Sequence, residues 1–99
     1  MIQWHLVQNE RHIKNLPGLY ALYYNRNGEN RLAYIGRSKN LHNRLMWYGN
    51  TTVHPVLRNL RKDNEGVFIK IKYTDNLKFE SRLIGKLKPP INRRYITVQ

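Results

Sequence analysis

The stretch that decides the fold runs from Gly18 to Gly36 and reads GLYALYYNRNGENRLAYIG. Two apolar runs, 18–24 and 32–36, flank a polar loop that contains Asn27-Gly28. An Asn-Gly pair between two such runs is a strong signal for a β-hairpin, because both residues adopt positive φ angles at little cost. The sequence therefore predicts two antiparallel strands joined across residues 25–30.

A turn centred on Asn27 fixes the expected register of this hairpin. It would place Tyr20 opposite Tyr34 and Gly18 opposite Gly36, unless the loop absorbs a bulge. The glycines would then leave room for another backbone or for a phosphate. Taken alone, the hairpin favours the simpler interpretation that the two tyrosines are an ordinary cross-strand packing pair.

Charge is the strongest compositional signal. Eighteen Lys and Arg residues oppose six Asp and Glu residues, which gives a formal net charge of +12. Such an excess favours a polyanionic partner, most often nucleic acid, over a solvated basic surface or an anionic membrane.

Length and composition exclude several other classes. The 99 residues predict a single domain, and the absence of cysteine excludes disulfides, thiolate chemistry and Cys-type zinc sites. No apolar run approaches the roughly 20 residues that span a bilayer, and the N-terminus lacks the apolar core of a signal peptide. We therefore expect a soluble, cytoplasmic protein with no membrane partner.

A helix over residues 41–48 is predicted directly after the hairpin. Its apolar positions share one face through i, i+4, i+7 spacing and are Leu41, Leu45 and Tyr48. Ser38 or Asn40 can cap the start of this helix. Arg44 would lie beside Tyr48, one turn away.

The segment that leads into this helix is basic. Arg37 and Lys39 would surround the helix N-terminus, where free N–H groups and the helix dipole favour an anion. The sequence thus predicts a phosphate site between the hairpin and the helix, although surface solubility explains these two charges equally well.

A second helix is predicted over residues 50–64, with Thr51 or Thr52 as its cap. Its apolar stripe consists of Val53, Val56, Leu57 and Leu60. His54 lies off that stripe. A single histidine without partners at metal-ligand spacing is more often a surface residue than a ligand, so it is a weak candidate for contacting substrate.

One further strand is predicted outside the hairpin, and a short N-terminal segment could be an edge strand. Residues 67–73 alternate apolar and polar side chains, which predicts a third strand, and Trp4 and Leu6 alternate with polar neighbours as an edge strand can. We expect an α+β fold in which a small three-stranded antiparallel sheet is flanked by helices.

The last helix carries a carboxylate on its inward face. This helix is predicted from a cap at residues 75–76 to about Leu87, and its stripe at positions 77, 80, 84 and 87 includes Glu80. Burying a lone carboxylate is costly unless an arginine or a divalent cation compensates it. The plainer alternative is an ion pair with Arg44 or Lys86.

Five elements in the right order make the chain similar to the GIY-YIG nuclease family. Gly18-Leu19-Tyr20 and Tyr34-Ile35-Gly36 resemble its two signature motifs, with Leu19 in place of the usual Ile or Val. The other matching positions follow in order and are Arg44, Tyr48, Glu80 and Asn92. The resemblance covers about residues 17–93 of the single domain 1–99.

This resemblance implies an endonuclease that hydrolyses phosphodiester bonds in DNA with one divalent cation. The cation would be Mg²⁺, with Mn²⁺ able to substitute, and Glu80 would bind it with waters in the remaining positions. Tyr34 would be the general base with Tyr20 assisting, although some members are described the other way round. Arg44 would stabilise charge on the phosphate in the transition state.

The remaining positions take supporting roles under the same resemblance. Tyr48 would orient the attacking water or the hydrated metal. The residues assigned to the substrate phosphate are Arg37, Lys39, Gly36 and, only weakly, His54. The residues assigned to supporting the site are Gly18 and Asn92.

The resemblance leaves targeting open. Larger relatives carry an additional targeting part, for which 99 residues leave no room. Specificity for duplex, branched or nicked DNA would then come from the basic surface, a homodimer or a separate targeting protein, in a prokaryotic or phage setting. The alternative function is a catalytically silent nucleic-acid-binding module of the same fold, against which the intact Tyr20, Tyr34, Arg44 and Glu80 argue.

Overall fold

Antiparallel strands with helices on both faces make up the fold. The computed structural model describes residues 4–48, 51–64 and 66–91, and these form the predicted α+β architecture. In chain order the elements are β1 (His5–Val7), a 3₁₀ turn (Glu10–His12), β2 (Gly18–Arg26), β3 (Glu29–Ser38), α1 (Leu41–Leu45), β4 (Trp47–Tyr48), β5 (Thr51–Thr52), α2 (Pro55–Asp63), β6 (Gly66–Tyr73) and α3 (Phe79–Leu87).

The hairpin is confirmed, and its turn is tight. Asn27 and Gly28 connect β2 to β3 with φ angles of 55° and 80°, as a two-residue turn with two positive φ angles requires. The turn is therefore centred between these residues rather than on Asn27. An irregularity between Leu22 and Tyr23 then shifts the register by one more position.

These two shifts change which residues face each other. Tyr20 pairs with Gly36 and Gly18 pairs with Ser38, so the predicted pairing of Tyr20 with Tyr34 is wrong. Because the total displacement is two residues, the alternation of faces is preserved. The two phenols consequently share one face of the sheet as diagonal neighbours.

The main sheet has four strands rather than three. Its order is β1-β6-β2-β3, and every pairing is antiparallel. The expected edge strand near the N-terminus is β1, which pairs with β6 through His5 and Ile71. A separate ribbon joins β4 and β5.

The helices α1 and α2 cover one face of the main sheet, here called the inner face. Its core is apolar, with the buried residues Leu22, Ile69 and Ile71 on the strands beneath Leu41, Leu45, Val56, Leu57 and Leu60 on the helices. Burial of this area supplies most of the stabilisation of so small a chain.

The first helix is shorter than predicted. Met46 has an extended backbone, so α1 ends at Leu45 after five residues. Tyr48 therefore lies in β4 and not one helical turn beyond Arg44. A helix this short also lacks the developed dipole on which the predicted anion site depends. Asn40 is its cap, as expected, and accepts a hydrogen bond from the Asn43 N–H.

The second helix begins later than predicted. Pro55 is its first residue, and the capping residue is His54 rather than Thr51 or Thr52. Val53 consequently falls outside the helix and is 52% exposed, not part of the apolar stripe. Proline is favoured at the first helical position because its missing N–H would be unpaired there in any case.

The third helix lies on the opposite face of the sheet, here called the α3 face. Leu19, Ala21 and Ile35 are buried there. The helix starts at Phe79, later than expected, without a side-chain cap, and ends where Lys88 adopts a left-handed conformation. Helices on both faces place β3, an outer strand of the sheet, between α1 and α3.

Candidate functional site

The buried Tyr20 phenol reaches across β3. A Cβ atom at Gly36 would overlap the Tyr20 ring, so only glycine permits this position. The space at Gly36 therefore holds a phenol and not a phosphate, which corrects the expectation for this glycine. At Gly18 the space is taken by the Lys72 carbonyl and the Leu41 side chain, which confirms the close approach of another backbone.

His54 holds the Tyr20 hydroxyl in place. Its Nε2 lies 2.6 Å from the Tyr20 oxygen, and the imidazole is completely buried. Its Nδ1 accepts hydrogen bonds from the N–H groups of Val56 and Leu57 at 3.2 and 3.4 Å. The expectation that His54 is a surface residue is therefore wrong.

The helix cap decides the tautomer of His54. Because Nδ1 accepts two backbone N–H groups, the proton of the neutral ring is on Nε2 and is donated to the Tyr20 oxygen. Burial, followed by the nearby charge of Arg44, lowers the pKa of His54 to about 4, so the ring is neutral at pH 7. The Tyr20 O–H is thereby left to donate to another group.

Four predicted residues meet electrostatically at the Tyr20 hydroxyl. Burial is the largest cause of the raised pKa of Tyr20, and the negative charges of Tyr34 and Glu80 add to the rise. The Arg44 guanidinium, which interacts with the hydroxyl, opposes it. Tyr20 is therefore the tyrosine that retains its proton when its neighbours are charged.

Tyr34 lies beside this pair but is only half-buried. Its ring stacks on Tyr20 with 6.2 Å between the centroids and meets His54 edge-on at 5.7 Å. These contacts fix the plane of the ring while part of the side chain faces solvent.

On the α3 face, an ion pair between Arg37 of β3 and Glu80 of α3 joins these two elements. Arg37 Nε lies 3.6 Å from Glu80 Oε1, and the side chains are 55% and 19% exposed. Burial raises the pKa of Glu80, and Arg37 opposes the rise. The expected partners Arg44 and Lys86 are thus replaced by Arg37, which lies in β3 rather than in a loop.

The site has two sides. The enclosed side consists of Tyr20, Gly36 and His54, and the open side consists of Arg37 and Glu80. Arg44 is exposed on α1, near enough to affect both titrating groups of the enclosed side. Lys39 is an exposed residue just before α1.

Two predicted site residues have side chains outside the described part of the chain. Asn92 lies outside the described residues. Tyr48 belongs to β4, and its side chain is outside the described part of the chain.

The fold and site can be compared with known proteins. The chain is 34% identical over 91 residues to UvrABC system protein C of Psychrobacter cryohalolentis, with 89% of this chain and 14% of that protein aligned. UvrABC system protein C of Saccharophagus degradans is 31% identical over 85 residues, with 83% of this chain and 13% of that protein aligned. No family model and no solved structure matches the chain.

These relatives carry the nuclease domain that the sequence motifs resemble. The chain carries a GIY-YIG-like domain. It spans about one seventh of the length of the relatives it matches. Within the described residues of this GIY-YIG-like domain, no helix is long and apolar enough to cross a lipid bilayer.

One acidic residue of the domain, Glu80, lies at the open side of this site. Glu80 is mostly buried and faces Arg37 beyond hydrogen-bonding distance. The described residues contain no cluster of three or more His, Asp and Glu side chains that could hold a metal. A lone carboxylate could hold a cation such as Mg²⁺, which retains most of its waters and needs few protein ligands.

Sequence reasoning missed the role of His54 in the GIY-YIG-like domain. The missed signal was Pro55, because proline at the first helical position marks the preceding residue as the cap. A capping residue directs its side chain back over the first turn of the helix. Here the capping side chain of His54 contacts Tyr20.

Proposed function

We propose that this chain is a nuclease domain that hydrolyses phosphodiester bonds in DNA with the help of a divalent cation. The observation that carries this proposal is the set of residues around Tyr20: Tyr34 stacks on its ring with 6.2 Å between the centroids, and Arg44 and Glu80 lie near enough to affect its pKa. These residues come from β2, β3, α1 and α3, so the fold itself assembles them. The net charge of +12 favours a polyanionic substrate.

Glu80 would hold the cation. A carboxylate whose pKa is raised by burial, and which has a single arginine at 3.6 Å, is stabilised by a further positive charge. A bound Mg²⁺ would polarise the phosphate and stabilise the leaving oxygen. Mn²⁺ would substitute, because it accepts the same oxygen ligands.

Tyr20 and Tyr34 would have different roles in the reaction. Tyr20 keeps its proton, since burial raises its pKa, and can donate a hydrogen bond to the substrate or to the attacking water. Tyr34 is the more accessible phenol, and as the phenolate it would accept the proton of that water. The water oxygen then bonds to phosphorus as the bond to the leaving oxygen breaks.

Two arginines would bind the phosphate from different sides. Arg44 lies beside the enclosed side, and its guanidinium would donate to the charge that develops in the transition state. Arg37 already faces Glu80 and is 55% exposed, so it can also reach a substrate oxygen. Lys39 would add to substrate attraction at the surface.

The test is cleavage of duplex, nicked, flapped and single-stranded DNA by the wild-type chain with Mg²⁺, with Mn²⁺ and with EDTA. We expect metal-dependent cleavage that Glu80→Ala abolishes while DNA binding survives. Glu29→Ala is the matched control, because Glu29 forms an exposed ion pair with Arg31 away from the site. Tight binding without cleavage of any substrate by the wild type would instead favour the catalytically silent binding module.

A further inference from the structure

A second surface lies outside the candidate site, on the α3 face. Alternation along β2 and β6 directs Tyr23, Phe68, Lys70 and Lys72 to this face, since their strand partners Leu19 and Ala21 lie there. Phe79 and Arg82 of α3 adjoin them. Together these residues form what we call the aromatic-basic strip, which consists of Tyr23, Phe68, Lys70, Lys72, Phe79 and Arg82.

The strip begins with a stacked aromatic pair. Tyr23 and Phe68 are direct cross-strand partners, with ring centroids 4.9 Å apart and planes within 3° of parallel. Aromatic pairs prefer an offset arrangement, which leaves part of each ring face uncovered by the other. Both side chains are partly exposed. They therefore offer aromatic surface to a ligand.

Three cations accompany the rings. Lys70 Nζ lies 5.4 Å from the centroid of Tyr23, and Lys72 Nζ lies 5.9 Å from that of Phe79. The Cζ atom of Arg82 also lies 5.9 Å from the centroid of Phe79. Each cation is thus held within cation–π range of a ring.

Within the described part of the chain, no carboxylate forms an ion pair with these three cations. Among the described residues, the ion pairs join Arg31 to Glu29 and Arg37 to Glu80. The positive charge of the strip is therefore left for an external anion.

The strip leads to the open side of the candidate site. Lys72 and Arg37 both pair with Leu19, from β6 and β3 respectively, and Arg37 faces Glu80. From Phe68 to Lys72 the strand advances by four residues, which is about 13 Å at about 3.3 Å per residue. Phe68 thus lies on the same strand as Lys72, and Lys72 and Arg37 flank the same residue of β2.

We infer that the aromatic-basic strip binds an unpaired strand of DNA and presents it to the open side of the site. The inference rests on the proposed function, because it specifies which form of DNA the nuclease would prefer. Rings and cations suit a single strand, whose exposed bases can stack and whose phosphates can pair with lysine. Duplex DNA keeps its bases stacked inside and can use only the cations.

The test is fluorescence anisotropy in EDTA, which measures binding without cleavage. The probes are an oligothymidylate of about 12 nucleotides and a duplex of the same length. Phe68→Leu keeps an apolar side chain on the strand but removes the ring. We expect it to weaken binding of the single strand about 5- to 150-fold, as loss of one stacked base does, with duplex affinity unchanged.

A charge-matched pair completes the experiment. Lys70→Gln and Lys62→Gln each remove one positive charge, but Lys62 is exposed on α2, away from the α3 face. The single strand should be weakened more by Lys70→Gln. Equal loss from both lysine variants, or an unchanged single-strand affinity in a folded Phe68→Leu, would overturn the inference. Absence of cleavage by the wild type would contradict the proposed function alone, because these binding measurements do not depend on it.

Discussion

The enclosed and open sides of the candidate site are built by different forces. On the enclosed side, packing against Gly36 and a 2.6 Å hydrogen bond from His54 fix the buried Tyr20 phenol. On the open side, Arg37 and Glu80 meet only across 3.6 Å, at the border with solvent. The enclosed side is therefore preorganised by folding, whereas the open side is free to bind a further charged group. Substitutions should therefore affect stability on the first side and activity on the second.

The largest effect on the cleavage rate is expected from Arg44, because this residue would contribute its positive charge to the transition state. Arg44→Ala should reduce the single-turnover cleavage rate about 10²-fold or more, as the loss of a transition-state charge donor does. Arg44 is exposed, so folding stability should change little. Arg58→Ala, an exposed arginine on α2, is the control and should retain activity. A loss confined to DNA affinity, with an unchanged rate, would make Arg44 a positioning residue.

Acid should destabilise the enclosed side. The pKa of His54 falls from about 6.5 in the unfolded chain to about 4 in the folded one, so the unfolded state binds this proton first. Stability is therefore lost as the pH falls from about 6.5 to about 4, by about 3 kcal/mol, and this loss levels off below that range. Urea unfolding at a series of pH values measures it.

The control for the acid experiment removes the histidine. His54→Asn should lack this part of the pH dependence, while the contribution of Glu80, which acts in the opposite sense, remains in both proteins. Parallel stability curves for the two proteins between pH 7 and pH 4 would contradict the assignment.

The sequence predicted the elements of the site better than their relative placement. Asn27-Gly28 determined the hairpin, and the stripe that contains Glu80 determined a helix that ends where expected, because local signals govern both. The register was wrong by two residues: one comes from the centre of the turn, and the other from a bulge in mid-strand, which leaves no local signal. Two phenols predicted to face each other are therefore diagonal neighbours.

The partners of the site residues were less predictable. Glu80 pairs with Arg37, since α3 lies over β3 on the face opposite α1, and helix spacing contains no information on that choice. The bond between His54 and Tyr20 joins positions 34 residues apart and arises only when α2 packs on the sheet. Both contacts are determined by how the helices pack on the sheet, and not by local secondary-structure propensity.

A pair of identical substitutions compares the enclosed side with an exposed position on α3. Gly36→Ala places a methyl group in the Tyr20 ring, so the phenol must move, at a cost of about 1–3 kcal/mol. Gly85→Ala on α3 meets no atom within 4 Å and replaces a helical glycine, so it should stabilise by about 0.5–1 kcal/mol. Thermal unfolding of both variants measures the difference. Equal effects would show that the enclosed side is not tightly packed.

The smallest effect separates the two contacts of His54. Asparagine is a good helix cap but is too short to reach Tyr20 from the same position, so His54→Asn should keep α2 intact and lose only the hydrogen bond. We expect a loss of about 1 kcal/mol, and about 1 kcal/mol more for His54→Ala, which also removes the cap. Adding Tyr20→Phe should abolish the cost of the first variant, because the bond is then already gone. If the Tyr20→Phe and His54→Asn losses simply add, the two side chains are not coupled, and packing alone orients the phenol.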